Sequence, residues 1–463
     1  MENTVNKNST RNYGLDVLRC VAMIMVVILH FLDKGGILRD LSDEGSFNAA
    51  DTVAWLLEAF CIVAVNLYML MSGYLLYSGS FKLSRLLKLV AKVWLYSVIV
   101  GFIGIALGTP TESVDTYFKL RLLFPVSMNT YWFMTAYIFF YMLVPVLGIA
   151  AKAMNKAQMK LLIGGLLFFH VMIKTIVPAQ LTADAAGMDA MWYVVLYFVA
   201  VYIRKFIAAG DVQASEKSTA VGNARNDEKD DAVGKNSNIG ASNDSKVRCK
   251  SAKSCRISGI TCVIGYIAGV LLIFGEAFAL RFVYLKTGSL SYILSISYAY
   301  NHLLVLFASV ALFMAFLKLR LPKKVGGVFA FLGKYSLGVY LLHENLSIRY
   351  AWEPLLGCDK ATTVISVIGY ALYAGIFIFV IGVLVDYVGS ILGGSILRFL
   401  KNTSVFKSLS AAIEKADNLF AHSTGSANAS AASGDKHAAG SVSGQASQDG
   451  KVKATPSGGD SNG

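Results

Sequence analysis

The sequence predicts an all-α polytopic membrane protein of about ten transmembrane helices, with both termini cytoplasmic. Three observations predict it. Hydrophobic residues make up 55% of the 463 and charged residues only 15%, against about 25% charged in a typical soluble protein. Mean hydropathy is +0.56 even though two long polar stretches dilute it. The apolar residues also gather into runs of roughly 20, the length a helix needs to cross a hydrocarbon core ~30 Å thick. This composition excludes a secreted disulfide scaffold, a fibrous protein and a wholly disordered chain. It also argues against a nucleic-acid-binding module despite a net charge of +13. The basic residues read instead as anchors that hold one side of many helices in the cytoplasm.

The runs lie near 14–33, 52–77, 86–108, 131–151, 159–178, 189–207, 257–281, 300–318, 326–344 and 363–392. The first contains Asp16 and Arg19 and lacks a small-residue cleavage site, so it reads as a span and not as a signal peptide. The connections alternate in charge. The N-terminal tail (Lys7, Arg11), the 78–88 loop (Lys82, Arg85, Lys88), the 152–160 loop, the 204–256 segment, the 318–324 turn and the C-terminal tail are basic. The others mix acids with bases, as in Asp40, Asp43 and Glu44. With ten spans, every basic segment falls on one side.

The expected organisation is a first membrane unit over 1–207, a cytoplasmic insertion over 208–256, a second membrane unit over 257–400 and a tail over 401–463. The insertion is rich in Asn, Ser, Asp and Lys, and 423–463 is rich in Ala, Gly and Ser. Neither has the apolar surface to offset chain entropy, so both are expected to be disordered. The amphipathic stretch Val405–Phe420 is expected to lie along the inner membrane surface. Cys249, Cys255 and Cys262 offer no CxxC and no nearby histidine, so no metal site is expected and all six cysteines read as reduced thiols.

The first run carries the most chemistry. Arg19 and His30 are 11 residues apart, which at ~100° per residue is about three turns plus 20°. Both side chains therefore share a face, separated by roughly 16 Å along the axis. Ionisable residues within a span usually face the bundle interior or a polar cavity, so the pair suggests a cavity that crosses much of the membrane. Snorkelling of Arg19 and simple capping by His30 are the bland alternatives. Arg85 and Lys88 sit one helical turn apart at the start of the third run, with Lys92 a turn further; that ridge suits a phosphorylated donor or an ordinary basic flank. Ser72-Gly73-Tyr74 closes the second run, Tyr131-Trp132-Phe133 opens the fourth, and His343-Glu344 ends the ninth at the depth of His30. His170 and His302 stand alone and read as structural.

Taken together, Asp16-x-x-Arg19-x10-His30, Ser72-Gly73-Tyr74, Tyr131-Trp132-Phe133 with Pro145, and Ser336-Leu337-Gly338-Val339-Tyr340-Leu341-Leu342-His343 resemble the acyltransferase-3 family of integral membrane acyltransferases. The resemblance covers about 11–392 and is nearest the surface-polysaccharide O-acetyltransferase branch. It implies ten helices in the cytoplasmic membrane of a bacterium, no bound cofactor, and transfer of an acyl group, usually acetyl, from cytoplasmic acyl-CoA to a sugar hydroxyl. It makes Arg19 and His30 the residues essential for activity. The family's second arginine at the start of the third helix is Lys88 here, which keeps the charge and loses bidentate phosphate recognition. The 208–256 insertion departs from the family core.

The expected roles follow. His30 is the general base or a transient acyl carrier, since neutral imidazole accepts a proton at physiological pH. Asp16 orients Arg19. Arg19, Arg85 and Lys88 bind the donor phosphates, with Ser72 and Tyr74 beside them. Trp132, His343 and Glu344 shape the acceptor pocket. Partners are the acyl-CoA, a polysaccharide or lipid-linked sugar, and the bilayer. The rivals are a transporter or flippase, which predicts inverted repeats and broken helices, and an acyltransferase with a different acceptor.

Overall fold

The regular structure is helical throughout the described residues, which in the computed structural model are 11–79, 81–176, 185–208, 258–289 and 293–419. In chain order the helices are α1 (Tyr13–Lys34), α2 (Ala49–Cys61), α3 (Ala64–Leu76), α4 (Leu83–Ala106), α5 (Thr116–Leu123), α6 (Trp132–Ala153) and α7 (Lys156–Leu167). There follow α8 (Ile173–Ile176), α9 (Ala190–Tyr202), α10 (Gly259–Thr287), α11 (Leu303–Lys318), α12 (Lys323–His343), α13 (Trp352–Leu355) and α14 (Val364–Leu400). Nine described helical segments are long and apolar enough to cross a bilayer, with α2 and α3 joined as one of them. They match nine of the expected runs. The remaining run, 159–178, is helical over 156–176 through α7, a π-helical turn and α8, and is not among the nine. The 208–256 insertion beyond Ala208, with Cys249 and Cys255, and the tail beyond 419 lie outside the described residues.

Local chemistry sets the helix ends. The Asn12 side chain accepts from the Gly14 amide at 3.0 Å and donates to the Leu317 carbonyl at 2.9 Å, so it caps α1 and ties it to the end of α11. Asn48 with Asp51, and Asn155 with Gln158, form capping boxes that start α2 and α7. Asp189 caps α9 through the Trp192 amide. Lys205, on the π-helical turn after α9, donates to the carbonyls of Ala151, Lys152 and Met154 and so closes the end of α6.

Helix α1 is the central post. Of its apolar window 67% is buried, against 22% for α4 and 28% for α10 and for α14, which turn Ile99, Leu271 and Ile376 outward. It packs on α12, α14, α3 and α2. Asn66, fully buried, accepts from Trp192 Nε1 at 2.9 Å and donates to the Tyr300 carbonyl at 2.8 Å and to Ser309 at 3.2 Å, knitting α3, α9 and α11 together. Asp386 of α14 accepts from Lys92 at 2.6 Å and Tyr96 at 2.9 Å of α4. Arg281 of α10, buried, donates to the carbonyls of Leu41, Asp43 and Gly45 and pins the loop that follows α1. The amphipathic stretch is helical over 404–419 and reaches the start of α4, where the Asp417 carboxylate accepts from the Ser84 amide at 3.2 Å.

Candidate active site

Helices α1 and α12 run in the same direction: Gly333 lies against the Arg19 side chain, and ten residues later His343 meets His30. Between them and α3, α4 and α6 opens a cavity of about 480 Å³, within the ~300–1,000 Å³ range of small-molecule sites. Arg19, Arg85, Lys88, Lys92 and Lys334 line it, as do His30, Trp132 and Tyr300. The helical arithmetic for Arg19 and His30 therefore holds, since one wall presents both. A second cavity of about 630 Å³ is lined by Asp33, Lys34, Trp55, Glu58, Glu344 and Arg349. Leu29, His30, Trp132 and Tyr300 line both cavities. The imidazole of His30 thus stands at their junction.

The hydrogen bonds around His30 fix its proton. Nδ1 of His343 lies 2.7 Å from the Val339 carbonyl. A carbonyl can only accept, so that nitrogen is protonated and Nε2 of His343 holds the lone pair. Nδ1 of His30 lies 2.9 Å from that Nε2 and 3.3 Å from Oε1 of Glu344. Both partners accept, so Nδ1 of His30 donates, and its Nε2 is left as the basic atom for the cavities. Lys34, one turn beyond His30, pairs with Glu344. Arg349 donates to the carbonyls of Thr130 and Glu344 and holds the loop that carries the carboxylate. His30, His343 and Glu344 come close enough together to ligate a metal ion. In this structure the same groups contact one another directly, His30 with His343 and the Lys34 ammonium with Glu344.

The expected residues fall into three groups. Arg19, His30, Ser72, Arg85, Lys88 and Trp132 converge on the first cavity. Glu344 lines the second, whereas His343 is buried behind His30 and supports it instead of forming a pocket wall. Asp16 and Tyr74 line neither cavity. Asp16 is gripped by Arg11 through bonds of 2.6 and 2.8 Å and meets Arg19 only at 3.4 Å, so it is shared between two guanidiniums. Tyr74 turns away from the cavity: Arg204 donates to its carbonyl and stacks over its ring, which packs edge-on to Phe313. Within the same tripeptide, Gly73 lets α3 approach α9, since an added Cβ would sit 3.0 Å from the Tyr197 Cα.

A family model described as an acyltransferase domain matches residues 12–397. The chain belongs to this acyltransferase-3 family. It is a multi-pass membrane acyltransferase. No curated protein and no solved structure matches it.

Several residues of this acyltransferase line the two cavities without belonging to any of the motifs. Lys34 lies four residues after His30 and so on the same face, a signal that was available. Tyr68 donates to the Arg19 carbonyl at 2.8 Å and lines the first cavity. Asp33, three residues after His30 on α1, shares that signal, whereas Arg349 and Tyr300 reach the site only through tertiary packing. His170 contacts the Leu166 carbonyl at 3.1 Å, and His302 lies 3.5 Å from Glu276, both away from the two cavities.

Proposed function

We propose that this acyltransferase moves an acyl group, normally acetyl, from cytoplasmic acyl-CoA to a hydroxyl of a surface or envelope polysaccharide, or of its lipid-linked precursor, in a bacterial cytoplasmic membrane. The observation that carries the reading is the position of His30 on the shared wall of two cavities, one strongly cationic and one mixed in charge and aromatic. The cationic cavity takes the donor. Arg19 and Arg85 offer planar, multi-donor groups to the phosphates of CoA and Lys88 a third charge, with Ser72 on the same wall. The positive-inside rule assigns that end, and with it both termini, to the cytoplasm. The second cavity, with Trp132 at its inner limit and Glu344 in its wall, takes the acceptor.

In this mechanism the acceptor hydroxyl gives its proton to Nε2 of His30 as its oxygen attacks the thioester carbon. The imidazolium so formed is balanced by Glu344 at 3.3 Å, while its Nδ1–H donates to Nε2 of His343. Collapse expels the thiolate of CoA, which takes the proton back from His30, and the base returns to its starting state. Purified protein in detergent should release CoA from acetyl-CoA, and cell-surface glycans made with the gene should be one acetyl unit heavier than those made without it. A transporter would release no CoA. Unchanged glycan masses with clear CoA release would move the acceptor to another class.

A further inference from the structure

Acyl transfer places a negative charge on the acyl carbonyl oxygen, and a general base does nothing to hold it. We propose that the first turn of α6 together with Tyr340 is the oxyanion site of this enzyme, an inference that rests on the acyl-transfer reading of the cavity. Trp132, Phe133 and Met134 are the first three residues of α6, and all three line the cavity that His30 lines. The residue before them, Tyr131, gives no side-chain cap. Its hydroxyl donates to the Leu341 carbonyl at 3.1 Å and accepts from Asn345 at 3.0 Å. The first backbone bond into the helix runs from the Thr135 amide to the Tyr131 carbonyl at 3.0 Å. The amides of Trp132 and Met134 are therefore without a hydrogen-bond partner among the described residues, and that of Phe133 has the Tyr340 hydroxyl as its neighbour. A helix of 22 residues gathers partial positive charge at that end.

The second observation is independent of the helix. Tyr340, on α12, is only 6% exposed and lines the same cavity, yet its hydroxyl has no hydrogen-bond partner among the described residues. A buried hydroxyl left unpaired is costly, so such a group points to an occupant that pairs it. The ring lies 6.0 Å from that of Phe133 and 6.1 Å from that of His343, between the α6 terminus and the base relay. The hydroxyl approaches the Phe133 amide without reaching hydrogen-bond geometry. The first turn of α6 and the Tyr340 phenol, two kinds of donor, therefore line the same cavity as His30.

The electron count closes. The acceptor oxygen forms its bond to the carbonyl carbon while its proton goes to Nε2 of His30. The carbonyl π pair moves onto oxygen, where the Tyr340 hydroxyl and the α6 amides donate to it. The pair then returns, the C–S bond breaks, and the thiolate takes the proton from His30. No further reactant is required.

The test uses the full-length protein in lipid nanodiscs with acetyl-CoA and an envelope polysaccharide preparation, following CoA release. Tyr340→Phe should lower kcat by ~10²-fold, the loss expected for one oxyanion donor, with the KM for acetyl-CoA within about threefold. A trifluoromethyl ketone analogue of acetyl-CoA, whose hydrate carries the same oxygen, should bind Tyr340→Phe more weakly by that same factor, while CoA itself binds unchanged. Where Tyr340→Phe fails to bind CoA, 3-fluorotyrosine at position 340 preserves the shape and strengthens the donor, and kcat should respond to it. Full kcat in Tyr340→Phe, an unmoved ketone affinity, or indifference to the fluorinated ring would each overturn the oxyanion site alone. Wild-type protein that releases no CoA would overturn the acyl-transfer reading beneath it.

Discussion

The sharpest consequence of the relay concerns Glu344. In the proposed transition state His30 carries a positive charge with Oε1 of Glu344 only 3.3 Å from its Nδ1. Two unit charges at that separation attract by about 5 kcal/mol at an effective dielectric constant of ~20. Two features of the site reduce what a substitution removes. Lys34 sits on the same carboxylate and repels the imidazolium, and glutamine in place of glutamate keeps an acceptor oxygen for both neighbours. The net loss for Glu344→Gln is then about 2–3 kcal/mol, or roughly 10²-fold in kcat. The assay is release of CoA from acetyl-CoA by purified protein in nanodiscs, with the KM for acetyl-CoA measured alongside. The KM should change by less than about threefold, because Glu344 lies on the acceptor side of His30 and does not line the donor cavity. A variant that keeps kcat within about threefold of wild type, or one that loses only donor affinity, would refute the relay.

Three further outcomes are expected. Arg85→Ala should raise the KM for acetyl-CoA by roughly 10- to 100-fold, as for loss of one charged hydrogen bond of about 1.5–3 kcal/mol, with kcat largely retained; steady-state kinetics at two salt concentrations checks it. Gly73→Val should lower the thermal midpoint in detergent, because α3 and α9 must separate where a Cβ would meet Tyr197 and Ala200 at 3.0 Å, and overpacking of that kind costs ~1–3 kcal/mol. Glu353, in α13 outside the spans, is fully buried with neither carboxyl oxygen hydrogen-bonded among the described residues, and burial pushes its carboxyl up to about 7 from 4.5. The folded state therefore binds more protons than the unfolded one between those pH values, and stability falls as pH rises through them. Above pH 7 the cost reaches about 3 kcal/mol, so Glu353→Gln should raise the thermal midpoint at pH 8 and leave it nearly unchanged at pH 4.5.

Much of this site is legible in the sequence because it is built on helical periodicity. The 11-residue separation of Arg19 and His30 fixes their common face before any packing is known, and the basic ridge of Arg85 and Lys88 lies on the same kind of regular repeat. The depth of His343 follows from counting spans, and it is the depth at which His343 meets His30. What periodicity cannot give is which of two neighbouring faces a docked helix presents. Tyr74 follows Ser72 by two residues and so points elsewhere, towards Arg204 instead of the donor. Asp16 is shared because Arg11, just ahead of α1, reaches it first. Tyr340 reads as one more aromatic in an apolar run, and its unpaired hydroxyl becomes visible only when α12 is set against the start of α6. The second cavity draws Asp33, Glu58 and Arg349 from separate segments of the chain, a convergence that no local pattern encodes. The fold class was readable from composition alone, since lipid forces every backbone polar group into helices.

The central claim is that His30, at the junction of the two cavities, takes the proton that makes acyl transfer possible. Its most direct test compares wild-type protein and His30→Ala, each reconstituted in nanodiscs with radiolabelled acetyl-CoA and the polysaccharide acceptor. The account predicts that His30→Ala binds acetyl-CoA within a few-fold of wild type and moves label to the acceptor about 10²–10⁴ times more slowly. Label arriving on the acceptor at the wild-type rate would contradict it.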